Sequence, residues 1–108
     1  MTAFENNISK LHSHLSRFEK EGLKNRIAGQ DADGAEGVFA SYSPVDKSKI
    51  CVVACGTGVD IDKAASSAQY AFAAWRDLNA KARRELMMCI AEGIEARAEE
   101  IDLCECWD

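Results

Sequence analysis

The feature that most constrains the fold of this 108-residue chain is an apolar run that ends at a glycine and leads into a helix signal. Lys49–Cys55 is rich in β-branched and small apolar residues, which predicts a strand covered on both faces. Thr57-Gly58-Val59-Asp60 has the form of a capping box, in which a hydroxyl and a carboxylate each satisfy an unpaired backbone N–H. We therefore expect a strand, a tight turn and a helix that begins at Gly58.

Two helical patterns follow this turn. The first predicts a helix over Gly58–Trp75, and the second, with Asn79 as its N-cap, predicts a helix over Ala80–Trp107. Each pattern places its apolar residues on one face, so we expect the two helices to pack together. The faces consist of Ile61, Ala64, Ala65, Ala68, Ala71, Phe72 and Trp75 in the first helix, and of Leu86, Ile90, Ile94, Ala98, Ile101 and Cys104 in the second.

The N-terminal part predicts a helix followed by strands. Over Asn6–Leu23 the apolar residues recur every three or four positions, which is typical of an amphipathic helix, and Gly22 is the predicted stop. Between Lys24 and Cys55, short extended runs at Asn25–Gln30 and Val38–Tyr42 alternate with turn residues. The predicted class is α+β: a loosely attached helix (residues 1–23), a small antiparallel strand unit and two packed helices (together residues 24–108).

Composition and charge exclude several classes of function. The net charge is -5 and the Lys and Arg residues are scattered among acids, so nucleic acid is not an expected partner. The apolar run is far shorter than the roughly 20 residues that span a bilayer, so no membrane partner is expected either. The polar start Met1–Asn7 lacks the pattern of a secretory signal, which favours a cytoplasmic location.

The cysteines and histidines raise the question of a metal site. The five cysteines are Cys51, Cys55, Cys89, Cys104 and Cys106, an odd number that favours reduced thiols over a disulfide framework. Cys51 with Cys55 and Cys104 with Cys106 form two closely spaced pairs, which suggest a four-thiolate zinc site as an alternative to inert thiols. Residues two apart on a helix point roughly 200° from each other, however, so neither Cys104 with Cys106 nor His12 with His14 is placed to chelate one ion. We expect no tight zinc binding.

Two further patterns resemble ligand-binding loops. Gly56-Thr57-Gly58 follows a strand and opens a helix, which is the context of a phosphate-binding loop, but Ile61 stands where the third glycine of the dinucleotide fingerprint would be. A tight strand-to-helix turn is the favoured interpretation. Asp31, Asp33 and Glu36 lack the spacing of a calcium loop and are interpreted as an exposed turn.

From Ser41 to Asp108 the order of signals resembles the opening of the aldehyde dehydrogenase superfamily. The signals are Ser43-Pro44-Val45-Asp46, Ile50–Ala54, Gly56-Thr57, Asp60–Ala65, Ala71-Phe72-Ala73-Ala74-Trp75, Arg83-Arg84-Glu85-Leu86 and Ile94–Ile101. Their order and spacing together carry the resemblance. The N-terminal helix with Asn25–Gly29 further resembles members of the hydroxymuconic semialdehyde type.

This resemblance implies part of a larger α/β fold, in which residues 24–108 supply the first strands and helices of an incomplete cofactor-binding domain. The parent enzyme would oxidise an aldehyde to a carboxylate with NAD or NADP, through a cysteine thiohemiacetal and hydride transfer. In the family the nucleophilic cysteine and the glutamate base lie beyond the matched segment, and none of the five cysteines here aligns with the nucleophile. The resemblance thus implies an N-terminal fragment that has no catalytic or cofactor-binding residue, binds no cofactor alone and is inactive alone.

One site of the family is carried over by position. Some members hold a monovalent cation through backbone oxygens just before the Ser/Asn-Pro turn and through the Asp of an Asp-Thr-Gly motif. The corresponding residues here are Ser41, Tyr42 and Asp108. The resemblance therefore implies a cation site between the first strands and the end of the chain's last helix.

Two hypotheses about partners remain open. In the first, the exposed apolar faces are covered by the remainder of the enzyme or by a second copy in a homo-oligomer. In the second, the chain is a stand-alone α+β interaction module or the subunit of a split enzyme, which binds a partner through its alanine-rich face and the face that carries Trp75.

Overall fold

Four helices and four short strands make up the chain, and the computed structural model describes all residues from Met1 to Asp108. Their bounds are α1 (Ala3–Glu21), β1 (Asn25–Ile27), β2 (Gln30–Ala32), β3 (Val38–Tyr42), β4 (Lys49–Ala54), α2 (Gly58–Asp77), α3 (Ala80–Ala96) and α4 (Ala98–Trp107). The predicted α+β class is confirmed.

Helix α1 begins earlier than the predicted Asn6 because Thr2 and Glu5 form a capping box. The Thr2 backbone N–H donates to Glu5 Oε2 at 2.7 Å, and the Glu5 N–H donates to Thr2 Oγ1 at 3.2 Å. The helix ends before Gly22, whose φ of 68° lies in the left-handed region that favours glycine. A Cβ at this position would also lie 2.9 Å from the carbonyl oxygen of Val52, so a glycine is needed for the close approach to β4.

The strands form two separate antiparallel pairs. β3 pairs with β4 in a register that sets Val38 opposite Ala54 and Ser41 opposite Cys51, with an irregularity after Ser41. β1 and β2 form a hairpin whose two-residue loop, Ala28-Gly29, has positive φ at both positions (54° and 73°). The prediction of one extended run over Asn25–Gln30 is therefore wrong, because the chain reverses within it.

The buried apolar core lies between α1 and β4. Its central residues are Leu11 and Leu15 from α1 and Ile50 and Cys51 from β4, with Ile8, Phe18, Val53, Leu103, Cys104 and Trp107 packed around them. The prediction that the N-terminal helix is loosely attached is therefore wrong. Its apolar stripe was correctly identified, and that stripe is the surface that covers β4.

The last predicted helix is two helices, because the chain bends at Arg97. This residue has φ -115° and ψ 18°, and its N–H bonds to the carbonyl of Ile94 at 3.1 Å. The bend brings α4 against α1, where Arg17 Nη2 donates to Glu100 Oε1 at 2.6 Å. The prediction that the two helices after β4 pack together is therefore corrected. The main helix–helix contact joins α1 and α4, whereas α2 contacts β1.

The helices α2 and α3 leave their apolar faces open to solvent. Neither helix contains a buried apolar residue. The Cα radius of gyration is 17.6 Å, compared with about 13 Å expected for a compact domain of this length. The chain thus packs around α1 and β4 while α2 and α3 extend away from that centre.

No helix of the structure combines the length and the apolar character that crossing a membrane requires. The cytoplasmic location stays a prediction.

The first turn of α2 is fixed by the buried carboxylate of Asp60. Asp60 Oδ2 accepts hydrogen bonds from the N–H groups of Thr57 and Ala35, each at 2.9 Å, so that it ties the turn after β2 to α2. The hydrogen bond from the Ala35 N–H lowers the pKa of Asp60 most, and the bond from the Thr57 N–H lowers it further. The carboxylate half of the predicted capping box is confirmed, while Thr57 Oγ1 is buried without a hydrogen-bond partner.

Replacing Asp60 by Asn keeps an acceptor oxygen but removes the charge, and we expect it to lower the thermal unfolding midpoint at neutral pH. A carboxylate whose pKa is lower in the folded state stabilises that state above its unfolded pKa of about 3.9, and the contribution is lost as the pH falls through the folded pKa. The difference between wild type and Asp60→Asn should therefore shrink below about pH 4. Thermal unfolding followed by circular dichroism measures this difference.

Asp62→Asn is the matched control, since Asp62 lies in the same helix but is exposed. Equal effects of the two substitutions at neutral pH would contradict the role assigned to Asp60.

Candidate functional site

The residues predicted to form a cation site meet where the end of β3 approaches the end of α4. Ser41 Oγ donates to Asp108 Oδ1 at 3.5 Å, although the two residues lie 67 positions apart in the sequence. Tyr42 is the next residue of β3 and is exposed. The structure thus brings Ser41 and Asp108 together and leaves Tyr42 beside them.

Ser43 holds this junction in place. It is 1% exposed, and its Oγ donates to the carbonyl oxygen of Trp107 at 2.5 Å and accepts from the Val45 N–H at 3.2 Å. One buried hydroxyl therefore joins the β3–β4 turn to the last turn of α4. From the sequence Ser43 was recognised only as a turn residue; its position before Pro44 is the signal that its hydroxyl bonds within the turn.

Oxygen atoms dominate the chemistry at this junction. The carbonyl of Trp107 lies at the C-terminal end of α4, which carries partial negative charge, and the carboxylate of Asp108 adds a full charge. Burial raises the pKa of the Cys51 thiol and the Asp108 charge raises it further, as expected near negative potential. Hard cations bind to such oxygen ligands.

The five cysteines differ in their burial. All are free; Cys51 is buried, whereas Cys89 and Cys106 are exposed. The pKa of Cys104 is raised by burial and by the charge of Glu100, so this thiol and that of Cys51 stay protonated and are poor nucleophiles. No three His, Cys, Asp or Glu side chains come together as a metal cluster, and the absence of zinc binding stays a prediction.

The loop Gly56-Thr57-Gly58 does not fit the pyrophosphate of NAD or NADP. A helix N-terminus binds phosphate through unpaired N–H groups, but here the Asp60 carboxylate already accepts from the Thr57 N–H. A phosphate would also be repelled by that charge. This geometry agrees with the interpretation of the segment as a tight strand-to-helix turn.

Comparison with known proteins gives the chain its family. The sequence profile of the aldehyde dehydrogenase family matches residues 8–108. The chain belongs to the aldehyde dehydrogenase family. The match begins before Ser41, so helix α1 from Ile8 onward and the β1–β2 hairpin lie within the family's pattern, as does the segment that carries the resemblance.

Three relatives in this family illustrate the similarity. The chain is 35% identical over 85 residues to human mitochondrial 10-formyltetrahydrofolate dehydrogenase, covering 76% of this chain and 9% of that protein. It is 31% identical over 90 residues to an aldehyde dehydrogenase of Vibrio cholerae serotype O1, covering 82% and 18%. It is 35% identical over 102 residues to 1-pyrroline-5-carboxylate dehydrogenase of Staphylococcus haemolyticus, covering 84% and 20%.

The chain thus spans no more than a fifth of the length of these relatives. No solved structure gives a significant match to it. The closer resemblance to the hydroxymuconic semialdehyde type stays a prediction.

Substituting Ser43 by Ala should destabilise the chain by about 1–3 kcal/mol, because the part-buried carbonyl of Trp107 and the Val45 N–H both lose their partner. Urea unfolding followed by tryptophan fluorescence and circular dichroism measures the change. The control is Ser41→Ala, which removes only the long bond to Asp108 and should cost much less. A larger loss in Ser41→Ala than in Ser43→Ala would show that the junction is held differently.

Proposed function

We propose that this chain is the N-terminal segment of an NAD(P)-dependent aldehyde dehydrogenase and serves there as scaffold. The observation that carries the proposal is the exposure of the apolar faces of α2 and α3 in a chain with only seven buried residues. Faces of this kind are stable when another surface covers them. Family membership and the small share of each relative that the chain spans point to the rest of such an enzyme as that surface.

The exposed residues of α2 and α3 define the area to be covered. On α2 the large ones are Val59, Ile61, Tyr70, Phe72 and Trp75, and on α3 they are Leu86, Met87, Met88, Ile90 and Ile94. The alanines between them on α2 leave little side chain above the backbone, so a partner can approach closely. A second copy of the chain is the alternative partner for the same surface.

The chain's own residues do not supply the chemistry of the proposed parent enzyme. That enzyme would oxidise an aldehyde to a carboxylate with NAD or NADP. Here the thiols of Cys51 and Cys104 are held protonated, and the Asp60 carboxylate blocks the one loop that resembles a phosphate site. In this proposal the chain positions strands and helices, and the catalytic groups come from elsewhere in the protein.

The stand-alone interaction module is the competing hypothesis. The family match runs over residues 8–108 without leaving a separate interaction segment, and it does not favour this alternative. A subunit of a split enzyme differs from a segment only in how the chain is connected, and it would use the same exposed faces.

We expect the isolated 108-residue chain to form no NADH or NADPH with aliphatic or aromatic aldehydes and to bind NAD+ and NADP+ only weakly. The physical reason is that the pKa values of Cys51 and Cys104 are raised by burial and that the Asp60 carboxylate occupies the loop that resembles a phosphate site. Absorbance at the reduced-nicotinamide band and calorimetric titration are the measurements. Turnover that disappears on replacing any one of the five cysteines would show that a nucleophile lies within this chain and would overturn the proposal.

We propose further that Ser41, Tyr42 and Asp108 contribute oxygens to a monovalent cation site. The support is the approach of Ser41 to Asp108 beside the C-terminal end of α4, which concentrates negative charge. The backbone carbonyls of Ser41 and Tyr42 would be ligands, together with the carboxylate. Such a cation would fasten the end of α4 to β3.

Potassium or sodium chloride should then raise the thermal midpoint more than tetramethylammonium chloride at the same ionic strength, because the larger organic cation does not fit between these oxygens. Asp108→Asn should remove this difference. Asp102→Asn is the control, since Asp102 is an exposed acid of the same helix and lies outside the junction. Equal stabilisation by all three salts would count against the cation site.

A further inference from the structure

The outer edge of β3 is open, whereas its partner strand β4 is covered on both edges. β3 pairs with one edge of β4. Leu23 bridges the other edge, where its N–H donates to the Val52 carbonyl at 2.8 Å and its carbonyl accepts from the Ala54 N–H at 2.7 Å. On the far side of β3 there is no strand, and the side chains of Val38 and Tyr42 are 63% and 60% exposed. This edge is therefore accessible to a further strand.

The register shows which backbone groups point outward from this edge. In an antiparallel pair, residues alternate between those that exchange hydrogen bonds with the facing strand and those that do not. Val38 and Ala40 lie opposite the two β4 residues that bond to Leu23 instead, so their N–H and C=O groups point away from β4. Tyr42 also points outward, because its neighbour Ser43 bonds back across the β3–β4 turn. Three residues thus offer one donor and one acceptor each.

The sequence of β3 contains no residue that blocks pairing with another strand. Edge strands of soluble proteins are commonly protected by charged side chains or by proline. The β1–β2 hairpin has such protection, since Arg26 Nη1 and Asp31 Oδ1 pair across it at 2.8 Å. In contrast, β3 carries no charge and no proline, and its valine, phenylalanine and tyrosine favour strand structure. An edge of this composition favours the addition of a strand.

The edge is complementary to the same edge of a second copy. When two β3 strands lie antiparallel with the Ala40 residues opposite each other, Val38 of each copy lies opposite Tyr42 of the other. All three positions have outward backbone groups, so each strand donates three hydrogen bonds and accepts three. The two pairs of valine with tyrosine combine a β-branched with an aromatic side chain, which stabilises a sheet when the residues are directly opposite.

We propose that the β3 edge is a dimerisation surface, at which two copies of the chain join their two-stranded sheets into one four-stranded antiparallel sheet. A second copy fits because it satisfies every outward backbone group and places no charge opposite a like charge. Its hydrogen bonds are at the low end of the roughly 5–15 found in a standard interface, so we expect a weak, concentration-dependent dimer. The surface is separate from the α2 and α3 faces of the proposed function, and the two proposals fail independently.

Sedimentation velocity of the 108-residue chain at micromolar to millimolar concentrations measures the dimer. Tetramethylammonium chloride as the salt keeps the proposed cation away from the Tyr42 carbonyl. We expect reversible dimerisation, and hydrogen exchange followed by NMR should slow at the amides of Val38, Ala40 and Tyr42 as the concentration rises, because these N–H groups become bonded. A chain that stays monomeric at millimolar concentration, or a dimer in which these amides exchange as fast as in the monomer, would overturn the proposal.

Charged substitutions test the antiparallel alignment. Val38→Lys combined with Tyr42→Lys places like charges opposite each other at two positions, and should raise the Kd of the dimer by about tenfold or more. Val38→Lys combined with Tyr42→Glu places opposite charges there and should bring the Kd back close to that of the wild type. Both side chains are largely exposed, so circular dichroism should show that the two variants keep the fold.

Phe4→Lys combined with Val45→Lys is the matched control, because it adds the same charge and replaces two exposed apolar side chains outside β3, α2 and α3. It should leave the Kd unchanged. Equal losses in the control and in the variant with two lysines on β3 would show that the β3 edge is not what governs association. Dimerisation that survives both lysines on β3, or that the lysine–glutamate combination does not restore, would also overturn the proposal. Selective loss and rescue support it.

Discussion

The packing of α1 against β4 is the contact on which the other parts of the structure depend. Leu11 and Leu15 bury Ile50 and Cys51, and these four residues are the centre of the only apolar core that the chain forms. α4 is placed by the same contact, since Cys104 and Trp107 pack on its border and Arg17 of α1 holds Glu100. Without α1, strand β4 would lose its cover and α4 would lose its support.

Polar contacts at its two ends determine where α4 lies. At its start Glu100, whose side chain is 18% exposed, accepts from Arg17 and Arg97; at its end Ser43 bonds the carbonyl of Trp107. Surface ion pairs contribute little by themselves, and the arginine contacts are partly exposed. The buried hydroxyl of Ser43 is therefore the stronger constraint on the position of α4.

Local patterns in the sequence predicted those elements whose geometry is decided locally. The stripe of α1, the strand β4 and the turn into α2 follow from spacing and from Asp60, and the β3–β4 pairing from the turn residues between them. The hairpin was missed because Ala28 adopts positive φ, which alanine rarely does. The bend at Arg97 was missed because it accompanies the packing of α4 on α1, where Glu100 meets Arg17, 83 positions earlier, and local spacing does not encode that contact. The junction of Ser41 with Asp108 came from the family resemblance, and no local spacing encodes it.

The anchoring of α2 differs in kind from that of α4. Helix α2 contacts β1, and its only buried residue is Asp60 in its first turn. A single carboxylate that accepts from both Thr57 and Ala35 thus anchors the first turn of a 20-residue helix. Because that carboxylate accepts from an N–H group that a phosphate would need, the contact that anchors α2 also closes the loop to a phosphate. The far end of α2, with Phe72 and Trp75, has no such buried anchor and is exposed.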